Sequence, residues 1–541
     1  MKRLFSKLLP LAAILLLPAF AQAQETDSAI RGRVIDPEGS PVVGASVVVR
    51  DTRTGVSRPF QTNSTGTFLA TSLAPGGPYI VSVDGVDQTT ISSLALGDTF
   101  NLTINLRPEM EEIIAVGQAQ EIVETAVGPA ATFGLQDLDS AVAFARDIKD
   151  VYTIDPRLNL EADGFQVNCA GKHPRFNSVT LDGVSQNDRF GLNSNGYSTA
   201  TGMPFPYDAI QMVSVELAPF DTNYGGFSAC NINAVTKSGT NEWEGKVFYE
   251  YSDNDFRGTT VADDPGDYSR PSYDRTIIGF NVGGPIIKDR LFFYVSYYAP
   301  TTERENRENA YGPVPDYKEE RDEYFGKLTW AITDNLLLEG SYRTSDNESK
   351  NAGVGSFESA DGSEGFEASL DIAIIEGSWV INDRSSAYFK YTDFSNETVG
   401  RPDLVLGFNP SLGDSLDLGN LDRQGQFFVP TLRDDDPVWN AGAQPLINQY
   451  GFIENGVPQG GGAVGAAQDF NVQNFYRESL ELGYDYSLDV GSWTHNLHFG
   501  YHTEEIEEFL RRTSNGWGAI SYGGGQENDD YVDEVGVFNW W

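Results

Sequence analysis

Long apolar runs are missing from this chain. After residue 23 no stretch of the 541 residues holds the roughly 20 consecutive apolar side chains that a membrane-crossing helix needs. The one apolar segment near that length, Leu8–Phe20, is too short and is interrupted by Pro10 and Pro18. It follows Lys2, Arg3 and Lys7 and precedes the small-x-small triplet Ala21-Gln22-Ala23. That order reads as a secretory signal over residues 1–23. The mature chain is thus expected to leave the cytoplasm without a helical anchor. A place in a membrane would then require a closed β-barrel.

Basic residues are also few, 37 against 78 acidic ones, for a formal net charge of -41. Such a surface repels nucleic acid and excludes DNA or RNA as partners. Its ordinary consequence is a set of solvated, soluble loops. Histidine is scarcer still. His173 stands alone, while His495, His498 and His502 share one strand-like run. On a strand His495 faces away from the other two, and those two lie about 13 Å apart. Zinc needs its ligands near 2 Å from one centre, so no metal site is expected. No nucleophile–base set or carboxylate pair stands out by spacing, so neither enzyme chemistry nor a cofactor is expected. The only cysteines are Cys169 and Cys230. An oxidising compartment suits a disulfide between them, closing a loop of about 60 residues. Two buried free thiols are the alternative.

What the chain has instead is glycine, 56 residues, and aromatics, 12%. With so few long apolar runs, that composition points to β structure. The fold class expected is mainly β: an N-terminal β-sandwich, a small α/β plug domain and an incomplete transmembrane antiparallel β-barrel. Residues 28–107 carry short strand-like runs at Arg31–Asp36, Ala45–Val49, Phe68–Ala70, Tyr79–Val83 and Phe100–Ile104, with a Pro- and Gly-bearing turn at 37–41. Gly32-x-Val34, Asp36, Gly39 and Gly44-Ala45-x-Val47 resemble the carboxypeptidase regulatory-like domain. The segment has no histidine and cannot supply the usual His ligands of a catalytic zinc.

From Trp243 onward apolar and polar residues alternate over about nine runs of crossing length, at residues 246–251, 276–282, 291–298, 324–333, 336–342, 367–381, 387–391, 479–488 and 493–502. In Tyr324–Thr333, Tyr324, Leu328, Trp330 and Ile332 take one side, and Lys327 and Thr329 the other. Short turns at 284–288, 334–335, 382–383 and 489–492 alternate with long acidic loops at 252–274, 300–322, 344–365 and 396–473. Short periplasmic turns and long external loops are the outer-membrane pattern. Tyr249, Tyr251, Tyr297, Tyr298 and Tyr391 fall near the long-loop ends, where an interfacial girdle belongs. A plugged barrel needs on the order of 22 strands, so a chain with nine reads as a fragment or truncated product.

Between sandwich and barrel, residues 126–242 read as the plug. Two strands, Ser178–Leu181 and Met212–Leu217, end at Asp182-Gly183 and at Ala218-Pro219, and a short helix is expected at Ala141–Arg146. Here Asn177, Asp182, Gly183, Asn187, Asp188, Gly225, Gly226 and Lys237-Ser238-Gly239 form a motif. Together with Gly283–Phe293, it resembles the plug and early barrel of TonB-dependent outer-membrane receptors, closest to the Oar-like branch with its added N-terminal domain. The resemblance implies that Glu112, Ile113, Ile114, Ala115, Val116 and Gly117, within 110–120, are a TonB box: an extended segment that adds to the sheet edge of the inner-membrane energy-coupling partner. It also implies lipid contact in the outer membrane and uptake of a scarce siderophore, glycan or peptide. A surface adhesion or assembly protein of the same architecture is the alternative, and a soluble sandwich array a third. The plug loop 187–207 mixes Asn, aromatic and small residues that suit ligand contact or contact with the barrel wall.

Overall fold

The computed structural model describes residues 28–94, 99–106, 130–140, 148–149, 155–161, 166–191, 193, 196–199, 207–217, 227–256, 272–382, 384–406, 419, 424–490, 493–523 and 537–540. The signal segment, the TonB-box segment 112–117, the helix expected at 141–146, and Gly225 and Gly226 lie outside them.

The N-terminal unit is a sandwich of two sheets. Ser28–Ile35 runs between Thr67–Leu73 and, in parallel, Thr99–Asn105. Ser46–Asp51 and Tyr79–Val83 centre the second sheet, flanked by Ser57–Gln61 and Val86–Ile91. Alternation puts Ile30, Val34, Val47, Val49, Val81 and Val83 inside. The flanking strands had no sequence signal, because Pro59 interrupts one and the other is polar and largely exposed.

The plug is built on a five-stranded mixed sheet. Ser178–Leu181 and Cys230–Thr236 pair in parallel, and Ile210–Leu217 joins the latter to Ala130–Phe133. The last edge strand, Val184–Ser185, makes a two-residue hairpin with Ser178–Leu181. Its turn is Asp182-Gly183, with φ of 47° and 73°. Two successive positive φ values define the turn type whose twist matches a hairpin, and Asp-Gly is a preferred sequence for it. Cys169 and Cys230 are joined as a disulfide, Cα atoms 5.9 Å apart. The bond fastens the small hairpin of Leu158–Leu160 and Val167–Cys169 to the main sheet.

Nine antiparallel strands follow in one sheet, each paired to its neighbour in sequence: Glu244–Ser252, Tyr273–Ile287, Leu291–Arg304, Tyr317–Thr333, Leu336–Ala352, Glu364–Asn382, Ser385–Pro402, Asp469–Val490 and Trp493–Ser514. These match the nine alternating runs, but most extend well past them on the long-loop side, where polar residues continue the ladder beyond the apolar band. Among the described residues the sheet does not close on itself.

The burial pattern is inverted relative to a water-soluble sheet. In Tyr317–Thr333 the apolar Leu328 and Trp330 are about half exposed (51% and 45%), while Lys327 and Thr329 are 6% exposed. Oil faces out and charge faces in, which is stable only if the outer solvent is lipid. A girdle of tyrosines closes the outer apolar band toward the long loops. Tyr297, Tyr342, Tyr391 and Tyr476 donate their hydroxyls to Asp322, Asp371, Glu478 and Glu397, each on the adjacent strand. Tyr298 corrects the expected girdle. It neighbours Tyr297 and so points to the inner face with Ser296 and Tyr294. A falsifiable consequence sits at mid-band. Leu482→Arg, on the outer face, should lower folding stability in lipid vesicles by about 2–4 kcal/mol, read by urea titration. An equally small effect from outer-face and inner-face arginines would refute the lipid assignment.

The long loop 396–473 is not featureless. Asp436 caps the helix Pro437–Tyr450 by accepting from the Trp439 N–H at 2.8 Å, and Trp439, Ala443 and Ile447 fall four residues apart on its buried face. They pack against Phe427, Ile520 and Tyr522 of a small loop sheet, which also takes in Val537–Trp540.

Candidate functional site

At its hairpin turn the plug is bonded directly to the barrel wall. Asp182 spends its carboxylate inside the plug, accepting from the Thr236 N–H at 2.9 Å and the Thr236 hydroxyl at 2.8 Å. That leaves its backbone carbonyl facing the wall, where Lys390 Nζ donates to it at 2.7 Å. Lys390 also pairs with Glu376 at 3.0 Å on the adjacent barrel strand. Nearby, Lys327 lies 3.7 Å from Glu339, and Glu339 accepts from the Thr329 hydroxyl at 2.7 Å. Two lysines and two glutamates thus alternate on the buried inner face.

A few residues on, Arg477 takes the other end of the same segment. Its Nη2 donates to the Asn187 carbonyl at 2.8 Å and its Nη1 to the Ser185 carbonyl. Nε stands 3.0 Å from Glu504, which also pairs with the plug's Arg189 at 3.3 Å. The guanidinium is flanked by the rings of Phe394 and Phe475. Between the two grips Val184 inserts among Leu370, Ile372, Ile374, Phe394 and Phe475 of the wall. The planar fork of arginine suits two carbonyls and a carboxylate at once.

The remaining motif residues hold the plug's own backbone. Asn187 Oδ1 accepts from the Val179 N–H and its amide donates to the Asn177 carbonyl, both at 2.8 Å. Asn177 in turn donates to the Val167 carbonyl at 2.9 Å. Asp188 accepts from the N–H groups of Phe190, Gly191 and Asn193. Lys237 Nζ donates to the Asp208 carbonyl at 2.9 Å, which also accepts from the barrel's Tyr294 hydroxyl at 2.9 Å. Ser238 leads into Gly239, which lies flat on the wall. A Cβ there would stand 2.2 Å from the Phe293 carbonyl oxygen and 2.8 Å from its nitrogen, both backbone atoms that cannot swing aside. Gly239→Ala is therefore expected to destabilise plug seating by about 1–3 kcal/mol, read as a lower urea midpoint for plug release.

The gripping residues escaped the sequence reading. Lys390, Glu376, Arg477 and Glu504 are single charges on the inner face of barrel strands. Only the combination of alternation and a filled interior marks them. In the plug loop 187–207, Phe190 sets its ring edge-on to Phe475 of the wall, and residues 192, 194–195 and 200–206 lie outside the described ones. The histidines do not converge. His173 accepts from the Arg175 N–H, His498 pairs with Asp485 at 2.7 Å, and His502 lies 4.0 Å from Glu481. Among the described residues no cluster of His, Cys, Asp and Glu is arranged for a metal. The site holds a backbone segment through donors and ion pairs.

Two family models match: a carboxypeptidase regulatory-like domain over residues 29–107 and an outer membrane β-barrel domain over 235–320. The TonB-dependent transporter Oar of Myxococcus xanthus is 27% identical over 312 residues, 53% of this chain and 27% of that protein. A probable TonB-dependent siderophore receptor, PirA of Acinetobacter baumannii, is 26% identical over 237 residues, 41% of this chain and 29% of that one. The chain thus spans under a third of the length of these curated relatives. The solved outer membrane transporter YddB of Escherichia coli shares the fold, with a TM-score of 0.52 at 12% identity over 73% of this chain and 50% of that one. The chain is thus a homologue of a TonB-dependent transporter, carries a carboxypeptidase regulatory-like domain and an outer membrane β-barrel domain, and resides in the outer membrane.

Proposed function

We propose that the protein is an energy-coupled receptor whose plug is drawn off the barrel wall to admit a scarce ligand. The observation that carries this is the polar grip. The plug's Asp182–Asn187 segment is held by Lys390 and Arg477 through backbone carbonyls, contacts that water can replace once the segment moves. The apolar share of the contact is small, Val184 among Leu370, Ile372, Ile374, Phe394 and Phe475, so opening exposes little oil. The pull would enter through Glu112–Gly117, recruited as an added strand by the periplasmic part of the TonB complex. A relative named as a probable siderophore receptor makes ferric chelates the first ligands to try, ahead of glycans and peptides.

Deleting residues 112–117 tests the reading. Cells carrying the deletion should still bind a labelled ferric hydroxamate at the surface but cease to accumulate it. Their outer membranes should also lose binding of the purified TonB periplasmic domain. Unchanged accumulation would exclude coupled transport and leave the adhesion reading.

A further inference from the structure

The sandwich touches plug and barrel at once, at the short-turn end. Asn241, near the end of the plug, is shared three ways. Its N–H donates to the Arg53 carbonyl at 2.8 Å, its side-chain amide to the Thr54 carbonyl at 2.6 Å, and the same amide to Asp289 of a barrel turn at 2.8 Å. Asp289 returns its own N–H to Asn241 Oδ1 at 2.8 Å. Gly55 closes this junction: a Cβ there would lie 2.3 Å from Asp289 Oδ1. On the plug sheet, Gln211 donates to the Pro75 carbonyl of the sandwich at 2.9 Å. Further along the barrel, where the strands Glu364–Asn382 and Ser385–Pro402 meet, Arg58 donates to the Ser378 hydroxyl at 3.3 Å, and the Thr71 and Ser386 hydroxyls lie 3.4 Å apart. Val380, near the end of the first of those strands, is 5% exposed and packs as a member of the sandwich's own core cluster.

We propose that the sandwich is a strap across the periplasmic mouth: it fastens the plug to two barrel turns, and the plug leaves the lumen only after the sandwich undocks. The contacts divide as such a device requires. One set, at Gln211 and Asn241, grips the mobile part. The other, at Asp289, Ser378, Val380 and Ser386, grips the fixed part. The order of undocking rests on the proposed movement of the plug, whatever supplies the energy for it.

Two measurements on the full chain in outer membranes test it. Thr71→Cys with Ser386→Cys places two sulfurs where two hydroxyls now lie 3.4 Å apart. The pair should cross-link spontaneously, seen as a shifted gel band that reductant abolishes. No cross-link in protein whose Cys169–Cys230 bond has formed would overturn the proposal. Independently, Val380→Lys puts a charge into the sandwich if it is docked, and into water if it is not. It should speed amide exchange across the plug strand Ile210–Leu217 at least about tenfold while Val47 and Val81 inside the sandwich stay protected. Unchanged exchange in the plug strand would show that the sandwich does not restrain it, and would equally overturn the proposal.

Discussion

Replacing Arg477 by alanine should loosen the plug by about 3–5 kcal/mol, the usual cost of removing one member of a buried, hydrogen-bonded ion pair. The side chain is 1% exposed and serves three acceptors. Without it the Ser185 and Asn187 carbonyls face an apolar cage of Phe394 and Phe475, and Glu504 keeps the half-exposed Arg189 as partner. Arg477→Lys should recover little, since an ammonium restores the charge but cannot serve two carbonyls and a carboxylate in one plane. The loss should be local. Hydrogen exchange should accelerate at Val184, Ser185 and Asn187, while strand pairs of the barrel keep their protection. Pairing the change with Glu504→Gln in a double-mutant cycle separates the ion pair from the carbonyl contacts. If exchange at those three amides does not change, the guanidinium is not what holds the turn.

That grip also shows which parts of the structure the sequence could announce. Period-two alternation located all nine barrel strands, because lipid on one side and a filled interior on the other impose opposite chemistry on successive residues. Asp182-Gly183 located the hairpin turn, because only a short list of dipeptides accepts two positive φ values in succession. Arg477 and Lys390 carried no such mark. A lone charge on an inner face has the same sequence context as one lining water. What decides its role is a plug segment nearly 300 residues away in sequence for Arg477 and about 200 for Lys390. The loop helix was hidden for a different reason. Its Trp439, Ala443 and Ile447 stripe is short, and Pro445 sits inside it, so its stability comes from packing on strands that follow much later. The docking of the sandwich was equally silent, since Asn241, Thr71 and Ser386 are ordinary turn and strand residues until the two domains meet.

The plug's second large dependence is covalent. Replacing both Cys169 and Cys230 by alanine should cost the plug on the order of 4 kcal/mol, the chain-entropy estimate for a loop of 61 residues. Both side chains are fully buried, in an apolar cluster with Val179, Tyr197 and Ile232, so the double alanine leaves no stranded polar group. The cross-link restrains a segment poor in core of its own. The hairpin it fastens has three residues in each strand, and the loop beyond is held by Asp188, which accepts from the Phe190, Gly191 and Asn193 N–H groups. A lower urea midpoint for the plug should therefore appear together with faster exchange at Val167 and at position 230. Reductant applied to the unmodified protein should reproduce the shift, and should add nothing to the double alanine variant. A shift in the variant that reductant increases further would mean that the stabilisation does not come from this bond.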